Sequence, residues 1–192
     1  GETCAAQMDR IALRTRALGL QGRVAVSHAY GLGDLGEAEL DRVAQMLAQA
    51  GISIMTNAPG DHGFPPILRL REAGVRMFTG NDNIQDAWWP YGNGDMLQRA
   101  MLIGYRSGFY TDEALQVALD MATTAGAGVL GKTGYGLAVG NEASFVVVRA
   151  PNAAAAVAAA PYERAIVRHG RFWDGRVWGD PDQRAFKPEF ES

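Results

Sequence analysis

The residues of this sequence that are best suited to chemistry follow three short apolar runs. Ser27 and His28 follow the first run, Thr56 and Asn57 the second, and Asp82 the third. A carboxylate at the end of a buried strand pays a desolvation cost unless it meets a cation or several hydrogen-bond donors. A metal ion would meet that need for Asp82. The alternative is a turn, because Asp and Asn also favour turns and could cap the next segment.

Aromatic and imidazole side chains surround this cluster in the sequence. Trp88 and Trp89 fit the wall of a pocket for a flat ligand, although indoles also serve as core packing. His62 lies in the Gly/Pro-rich loop after the second run and would either hang over the site or be solvated. His28 taken alone is more typical of a buried, hydrogen-bonded histidine than of a reactive one. His169 is predicted to be an exposed strand residue.

Helix and strand patterns alternate between residues 3 and 90 and would position these groups. Helical apolar spacing covers residues 5–18 and the segment that ends at Gly51, and a third helix starts at a proline and ends before Gly74. The strands "RVAVSH", "ISIMTN" and "VRMFTGND" follow these helices. This alternation predicts a parallel sheet. Because parallel strands end on a common face, the polar residues after them are expected to share one site.

A different pattern follows the tryptophans. Two or three helices are predicted there, with Thr111 as the N-cap of one and Gly131 as the end of the last. The later elements are a strand at 144–149, a helix over the alanine run 153–160, and a hairpin with Asp174 and Gly175 at its turn. We predict a boundary near residues 132–140 between an α/β part and a small β part.

Composition excludes several classes of function. The 192 residues are 47% hydrophobic and 20% charged, with a net charge of −3, as in an ordinary soluble globular protein. No Lys/Arg run suits nucleic acid or an anionic membrane, and no apolar run reaches the roughly 18–20 residues of a membrane span. The lone Cys4 excludes an internal disulfide. The single cysteine, together with the absence of a signal-peptide pattern at the start, predicts a cytoplasmic protein.

Three segments resemble the amidohydrolase superfamily, and specifically cytosine deaminase and its relatives. "VAVSHA" resembles that family's strand-six segment, "GNDNIQDAWWPYGNGDML" its strand-eight segment, and "GYGLAVGNEASFVVV" the return into its small β-sandwich. The resemblance runs from about residue 3 to residue 178. It implies the C-terminal part of a (β/α)8 barrel over residues 1–135, about strands six to eight with flanking helices. Residues 136–192 would be part of the small β-sandwich domain and a tail.

The resemblance also implies roles for individual residues. Asp82 matches the aspartate that binds the catalytic metal and takes a proton from its water, and His28 matches the histidine that orients the hydroxide. Asn83 stands where cytosine deaminase has an aspartate that contacts the base, Trp88 matches a tryptophan of the pocket wall, and His62 matches a loop histidine near the substrate. The implied cofactor is one divalent ion, and iron, zinc and manganese all accept such ligands.

The family's remaining metal ligands do not occur in these 192 residues. Its strand-one His-x-His pair, its strand-five histidine and the glutamate after that histidine are absent. Because a tight metal site takes about three or four protein ligands, we expect the missing N-terminal barrel half, or another chain, to supply them. The unpaired barrel edge also predicts a homo-oligomer.

The predicted function is that of a metal-dependent hydrolytic deaminase or amidohydrolase. Metal-activated water would attack a C–N bond of a cytosine-like planar heterocycle. Since Asn83 replaces a charged acceptor with an amide, a related pyrimidine, triazine or cyclic amide fits as well, and the reaction could release an alkylamine or open a cyclic amide. The alternative from another class is a catalytically silent half-barrel that pairs with another chain segment.

Overall fold

A three-stranded parallel sheet with helices between its strands forms the first part of the fold. The computed structural model describes residues 2–60 and 62–173. The strands pair in the order β1-β2-β3, all parallel, as the alternating pattern predicts. The elements are α1 (Glu2–Ala17), β1 (Val24–Ser27), a 3₁₀ turn (Tyr30–Asp34), α2 (Glu37–Gln49), β2 (Ile52–Met55), α3 (Ile67–Glu72) and β3 (Met77–Phe78).

Helix α2 shows why the sequence folds in this way. Leu40, Val43 and Leu47 recur at helical spacing, and all three are buried in the core. The helix stops before Gly51, which has a φ of 62° that disfavours residues with a Cβ atom. A Cβ at this position would also lie 2.7 Å from the backbone nitrogen of Gly22. Glycine is therefore required where the chain turns from α2 into β2.

Four helices and a second sheet form the rest of the described chain, which makes the fold mixed α/β. Helix α5 packs on both α4 and α7. The hydroxyl of Thr111 accepts a hydrogen bond from the backbone nitrogen of Ala114 at 3.3 Å, which confirms the predicted N-cap. No helix in residues 2–60 and 62–173 has the length and apolar character to cross a bilayer. The helices are α4 (Met96–Ser107), α5 (Asp112–Ala122), α6 (Thr124–Val129) and α7 (Ala153–Ala159).

The second sheet is antiparallel, in the order β4-β5-β6, with strands β4 (Phe145–Val148), β5 (Arg164–Arg168) and β6 (Arg171–Trp173). His169 and Gly170 join β5 to β6 with φ values of 50° and 74°, both positive as in a type I′ hairpin turn. The prediction that His169 lies in a strand is therefore wrong, although the residue is exposed. The predicted turn at Asp174 and Gly175 lies outside the described residues.

One ion pair ties the second sheet to helix α4. Asp95 is the N-cap of α4, and its Oδ1 accepts hydrogen bonds from the backbone nitrogens of Leu97 and Gln98. Arg164 on β5 donates to both carboxylate oxygens of Asp95, each at 2.6 Å. The two side chains are only 14% and 19% exposed. Such a two-pronged pair fixes orientation as well as distance.

We expect Arg164→Met to lower the free energy of unfolding by about 1–3 kcal/mol at pH 7. Burial raises the pKa of Asp95, but hydrogen bonds from Arg164 and from backbone N–H groups outweigh burial and hold that pKa below its usual value. A carboxyl group with a lowered folded-state pKa adds stability above its unfolded value of about 3.9. That stability is lost as the pH falls through the folded-state pKa.

Urea unfolding from pH 7 to pH 3 measures this contribution. The difference between the unmodified chain and Arg164→Met should shrink below about pH 4. Arg168→Met, which removes an exposed arginine from the same strand, is the matched control and should change stability little. A difference for Arg164→Met that stays constant across this pH range would contradict the assigned role of Asp95.

Candidate active site

One pocket of about 910 Å³ is lined by His28, Asn57 and Asp82, which follow β1, β2 and β3. Each strand ends just before its polar residues, so the parallel pairing brings them to the same edge of the sheet. The five residues to which the family resemblance assigns roles all line this pocket. They are His28, His62, Asp82, Asn83 and Trp88.

Side chains from all three strand ends meet at the Asp82 carboxylate. Its Oδ2 accepts a hydrogen bond from Nδ2 of Asn57 at 3.2 Å and lies 3.5 Å from Nε2 of His28. The side chains of His28 and Asp82 are 30% and 31% exposed, so both are open to a ligand in the pocket. The arrangement can bind a cation or pass a proton between a carboxylate and an imidazole.

The backbone at this cluster adopts a conformation that side chains rarely allow. His28, Ala29 and Asp82 have φ values of 69°, 48° and 60°. A residue other than glycine in this left-handed region costs on the order of 1–3 kcal/mol, and such strain concentrates at functional sites. The strain therefore supports a functional role for His28 and Asp82 beyond ending their strands.

Tyr30 orients the His28 ring. Its hydroxyl lies 3.0 Å from Nδ1 of His28, and the two rings lie 4.8 Å apart. A hydrogen bond donated by Tyr30 to Nδ1 leaves the ring hydrogen on Nε2, the atom that faces Asp82. The ring of Tyr30 also lies 5.3 Å from that of His62, so Tyr30 stands between the two histidines. Sequence reasoning missed Tyr30, although its position two residues after a strand-end histidine was the available signal.

Asp86 organises the loop that carries the tryptophans. Its Oδ1 accepts hydrogen bonds from the backbone nitrogens of Trp88 and Trp89, and its Oδ2 accepts one from Nδ2 of Asn83 at 2.6 Å. The Asn83 amide and these backbone donors hold the pKa of Asp86 below its usual value. Trp88 is 83% exposed and is therefore not core packing. Asn83 lines the pocket, but its amide nitrogen is engaged within the loop.

A buried arginine is among the residues that line the pocket. Arg99 on α4 donates to the backbone oxygens of Asn57 and Asn81, and only 8% of the residue is exposed. Sequence reasoning did not single out Arg99. The available signal was spacing, since position 99 is three residues after Met96 and four before Ile103, on the buried face of the helix.

The donor chemistry here fits part of a metal site. Asp82 offers a carboxylate oxygen, which suits a divalent cation. Within residues 2–60 and 62–173, however, no three His, Cys, Asp or Glu side chains gather closely enough to hold a metal. A tight site takes about three or four protein ligands. The described residues therefore supply Asp82 as one candidate ligand and not a complete site.

Comparison with known proteins places these residues in a family context. The model of the Amidohydrolase family matches residues 2–172. N-isopropylammelide isopropyl amidohydrolase of Pseudomonas sp. (strain ADP) is 32% identical over 165 residues, which are 85% of this chain and 41% of that protein. Pterin deaminase of Rhizobium rhizogenes (strain K84 / ATCC BAA-868) is 26% identical over 184 residues, covering 86% of this chain and 40% of that protein.

Solved structures of an aminohydrolase and a deaminase are also similar to this chain. N-isopropylammelide isopropylaminohydrolase from Burkholderia multivorans ATCC 17616 superposes with a TM-score of 0.84 at 44% identity, over 88% of this chain and 43% of that one. 5-methylcytosine deaminase from Klebsiella pneumoniae liganded with 5-fluorocytosine gives a TM-score of 0.72 at 25% identity, over 84% and 42%. The chain thus spans about two-fifths of the length of these relatives.

Proposed function

Because this chain belongs to the amidohydrolase family, we propose that it is part of a hydrolase that cleaves a C–N bond of a planar heterocycle. The observation that carries the proposal is the convergence of His28 and Asp82, 3.5 Å apart, at the strand ends that line one pocket. The relatives named above are amidohydrolases and deaminases, which supports this class of reaction.

In this proposal the parallel sheet and its helices belong to a (β/α)8 barrel, and residues 136–192 to a small β-sandwich domain and a tail. Parallel strands alternating with helices support the barrel. Strand β1 pairs only with β2 among the described residues, and the exposure of Ala25 and Ser27 leaves room for further packing. The rest of the barrel then comes from a segment outside the described residues or from another chain.

We propose Asp82 as the ligand that this chain provides to one divalent ion, either iron, zinc or manganese. Members of the family generally use a divalent metal. Such an ion acidifies water and stabilises negative charge that develops on oxygen. In this proposal the other ligands of the ion come from outside residues 2–60 and 62–173.

Asp82 and His28 then have separate roles in the reaction. Asp82 accepts a proton from the attacking water and returns it to the nitrogen that leaves, so that water and the C–N bond become a ring oxygen and a free amine. His28 holds its Nε2 hydrogen towards the oxygen that gains charge. Asn57 donates to Oδ2 of Asp82 and so limits the directions in which the carboxylate can point.

The lining of the pocket suits a flat ring. Trp88, Trp89, Tyr91 and Tyr105 all contribute aromatic surface to it, and the rings of Trp89 and Tyr91 meet edge to face at 5.6 Å. An alkylamine is favoured as the leaving group, because identity is 44% to the isopropylaminohydrolase but 25% to the 5-methylcytosine deaminase. Deamination of a cytosine-like ring is the second candidate.

The test uses the complete protein that carries this chain. Alkylamino-triazines, aminopyrimidines and pterins are offered in turn, and released alkylamine, released ammonia and bound metal are measured. We expect alkylamine release and bound divalent metal. A protein that folds but binds no metal and releases neither product would favour the catalytically silent pairing role instead.

We expect Asn83→Asp to raise KM by about 3- to 10-fold, because it sets a second carboxylate against Asp86 and loosens the loop that carries Trp88. The exchange Asn83→Asp with Asp86→Asn restores one donor and one acceptor at this contact. It should bring KM back to within about 3-fold of the original. Equal KM values for the single variant and the exchange would contradict this reading of the loop. An exchange variant that prefers cytosine would identify position 83 as a substrate contact.

A further inference from the structure

Arg99 is a buried cation without an acidic partner among the described residues. Its Nη1 donates to the backbone oxygen of Asn57 at 2.6 Å and its Nη2 to that of Asn81 at 3.3 Å, while Nε is buried and has no hydrogen-bond partner within residues 2–60 and 62–173. Burial lowers the pKa of Arg99, and the negative charge of Asp82 acts in the opposite direction. A buried charge is costly, and an apolar side chain of similar volume is often no worse for stability. Stability alone therefore does not explain this arginine.

The two carbonyls that Arg99 binds both belong to the surroundings of Asp82. The side chain of Asn57 donates to Oδ2 of Asp82. The carbonyl of Asn81 belongs to the peptide bond that leads into Asp82. One guanidinium thus holds both the peptide that carries the carboxylate and the residue that hydrogen-bonds it.

The two hydrogen bonds of Arg99 lie just beyond the end of the β2–β3 pairing. β2 and β3 pair through Met55 and Phe78, and the last links beyond them are hydrogen bonds from the Thr56 nitrogen to Phe78 and from the Thr79 hydroxyl to Thr56. Arg99 joins the chains one step further, at Asn57 and Asn81. The planar fork of an arginine can span two carbonyls, whereas a lysine ammonium cannot do so in the same fixed geometry.

The arginine is itself fixed in place. It lies in the first turns of α4, where its backbone nitrogen donates to the backbone oxygen of Asp95 at 3.0 Å. Asp95 is the N-cap that Arg164 holds with two hydrogen bonds of 2.6 Å. The start of helix α4, which carries the guanidinium, is therefore held in place by hydrogen bonds.

We propose that Arg99 is a positioning residue that holds Asp82 in its strained conformation, so that the carboxylate faces Asn57 and His28. The proposal rests on the function proposed above. Asp82 has a φ of 60°, and a residue in that region keeps its conformation only when its surroundings enforce it. Loss of the two Arg99 hydrogen bonds frees the Asn81–Asp82 peptide and moves the carboxylate. A displacement on the order of 1 Å costs about 100-fold in rate.

The test compares Arg99→Met, Arg99→Lys and, as the matched control, Arg10→Met, which removes an exposed arginine from α1. In the complete protein, we expect Arg99→Met to lower kcat by about 100-fold with KM within about 3-fold, while its unfolding midpoint stays the same or rises. Arg99→Lys should recover less than about a tenth of the lost kcat, and Arg10→Met should match the unmodified protein. A fall in the unfolding midpoint with kcat preserved in the folded fraction would overturn the proposal, because it would show a structural role only.

A second measurement does not depend on activity. Crystal structures of the unmodified protein and of Arg99→Met should show that the variant loses the Asn57 to Asp82 hydrogen bond or changes φ at Asp82. An unchanged Asp82 in the variant would overturn the proposal, whatever substrate the protein uses. A displaced Asp82 in a protein that hydrolyses no heterocycle would support the positioning role of Arg99 and would count against the proposed function instead.

Discussion

Replacing Asp82 with asparagine is expected to lower kcat by about 1,000-fold or more in the complete protein. Asparagine keeps the shape of the side chain but cannot accept a proton, and it is a poorer ligand for a divalent ion. Asn57 already donates to Oδ2 of Asp82, so the substituted amide can still place an oxygen at that contact. The expected loss is therefore chemical and not a loss of packing.

Steady-state kinetics and metal analysis of the same samples test the Asp82 prediction. Bound metal should fall along with kcat, since we assign Asp82 to both the metal and the proton. Asp34→Asn, which changes an exposed aspartate outside the pocket lining, is the matched control and should leave both quantities unchanged. An Asp82→Asn variant that kept more than about a tenth of kcat would remove the carboxylate from the mechanism.

Replacing His28 with alanine is expected to lower kcat by about 100- to 1,000-fold, with a smaller change in KM. The variant loses the Nε2 hydrogen that faces Asp82 and the developing charge. It also leaves the Tyr30 hydroxyl without the Nδ1 partner at 3.0 Å. His28→Gln should lose less, because its amide can still donate a hydrogen bond in this direction.

His169→Ala is the matched control for His28, because His169 is an exposed residue of the β5–β6 turn and does not line the pocket. Its kcat should equal that of the unmodified protein, and unfolding midpoints should show that both variants are folded. If His28→Ala and His169→Ala lost activity equally, the role given to His28 would be wrong.

The sequence predicts the parallel sheet well because each of its strands is short, apolar and bounded by a strong helix stop. Gly51 illustrates this, since its left-handed conformation and its contact with Gly22 leave room for glycine only. Once the strands are parallel, their polar ends must meet on one face, which is why His28 and Asp82 could be expected to lie together. Local rules also predicted the Thr111 cap, because a hydroxyl at that position satisfies a free backbone donor.

The missed features depend on contacts between segments that are distant in the sequence. Arg99 reaches Asn57 across 42 positions, and no local pattern shows where a long side chain ends. The turn at His169 and Gly170 was missed for a local reason, because His-Gly is a weaker turn signal than Asp-Gly. The two backbone donors to Asp86 fit an ordinary Asx turn.

The most direct test of the account follows the oxygen atom of the attacking water. The complete protein is given its substrate in water enriched in ¹⁸O, and the ring product and the free amine are measured by mass spectrometry, with Asp82→Asn alongside. We expect one ¹⁸O in the ring product for each amine released, and neither event above background in Asp82→Asn. Amine release without ¹⁸O in the ring, or equal release by Asp82→Asn, would contradict hydrolysis at this site.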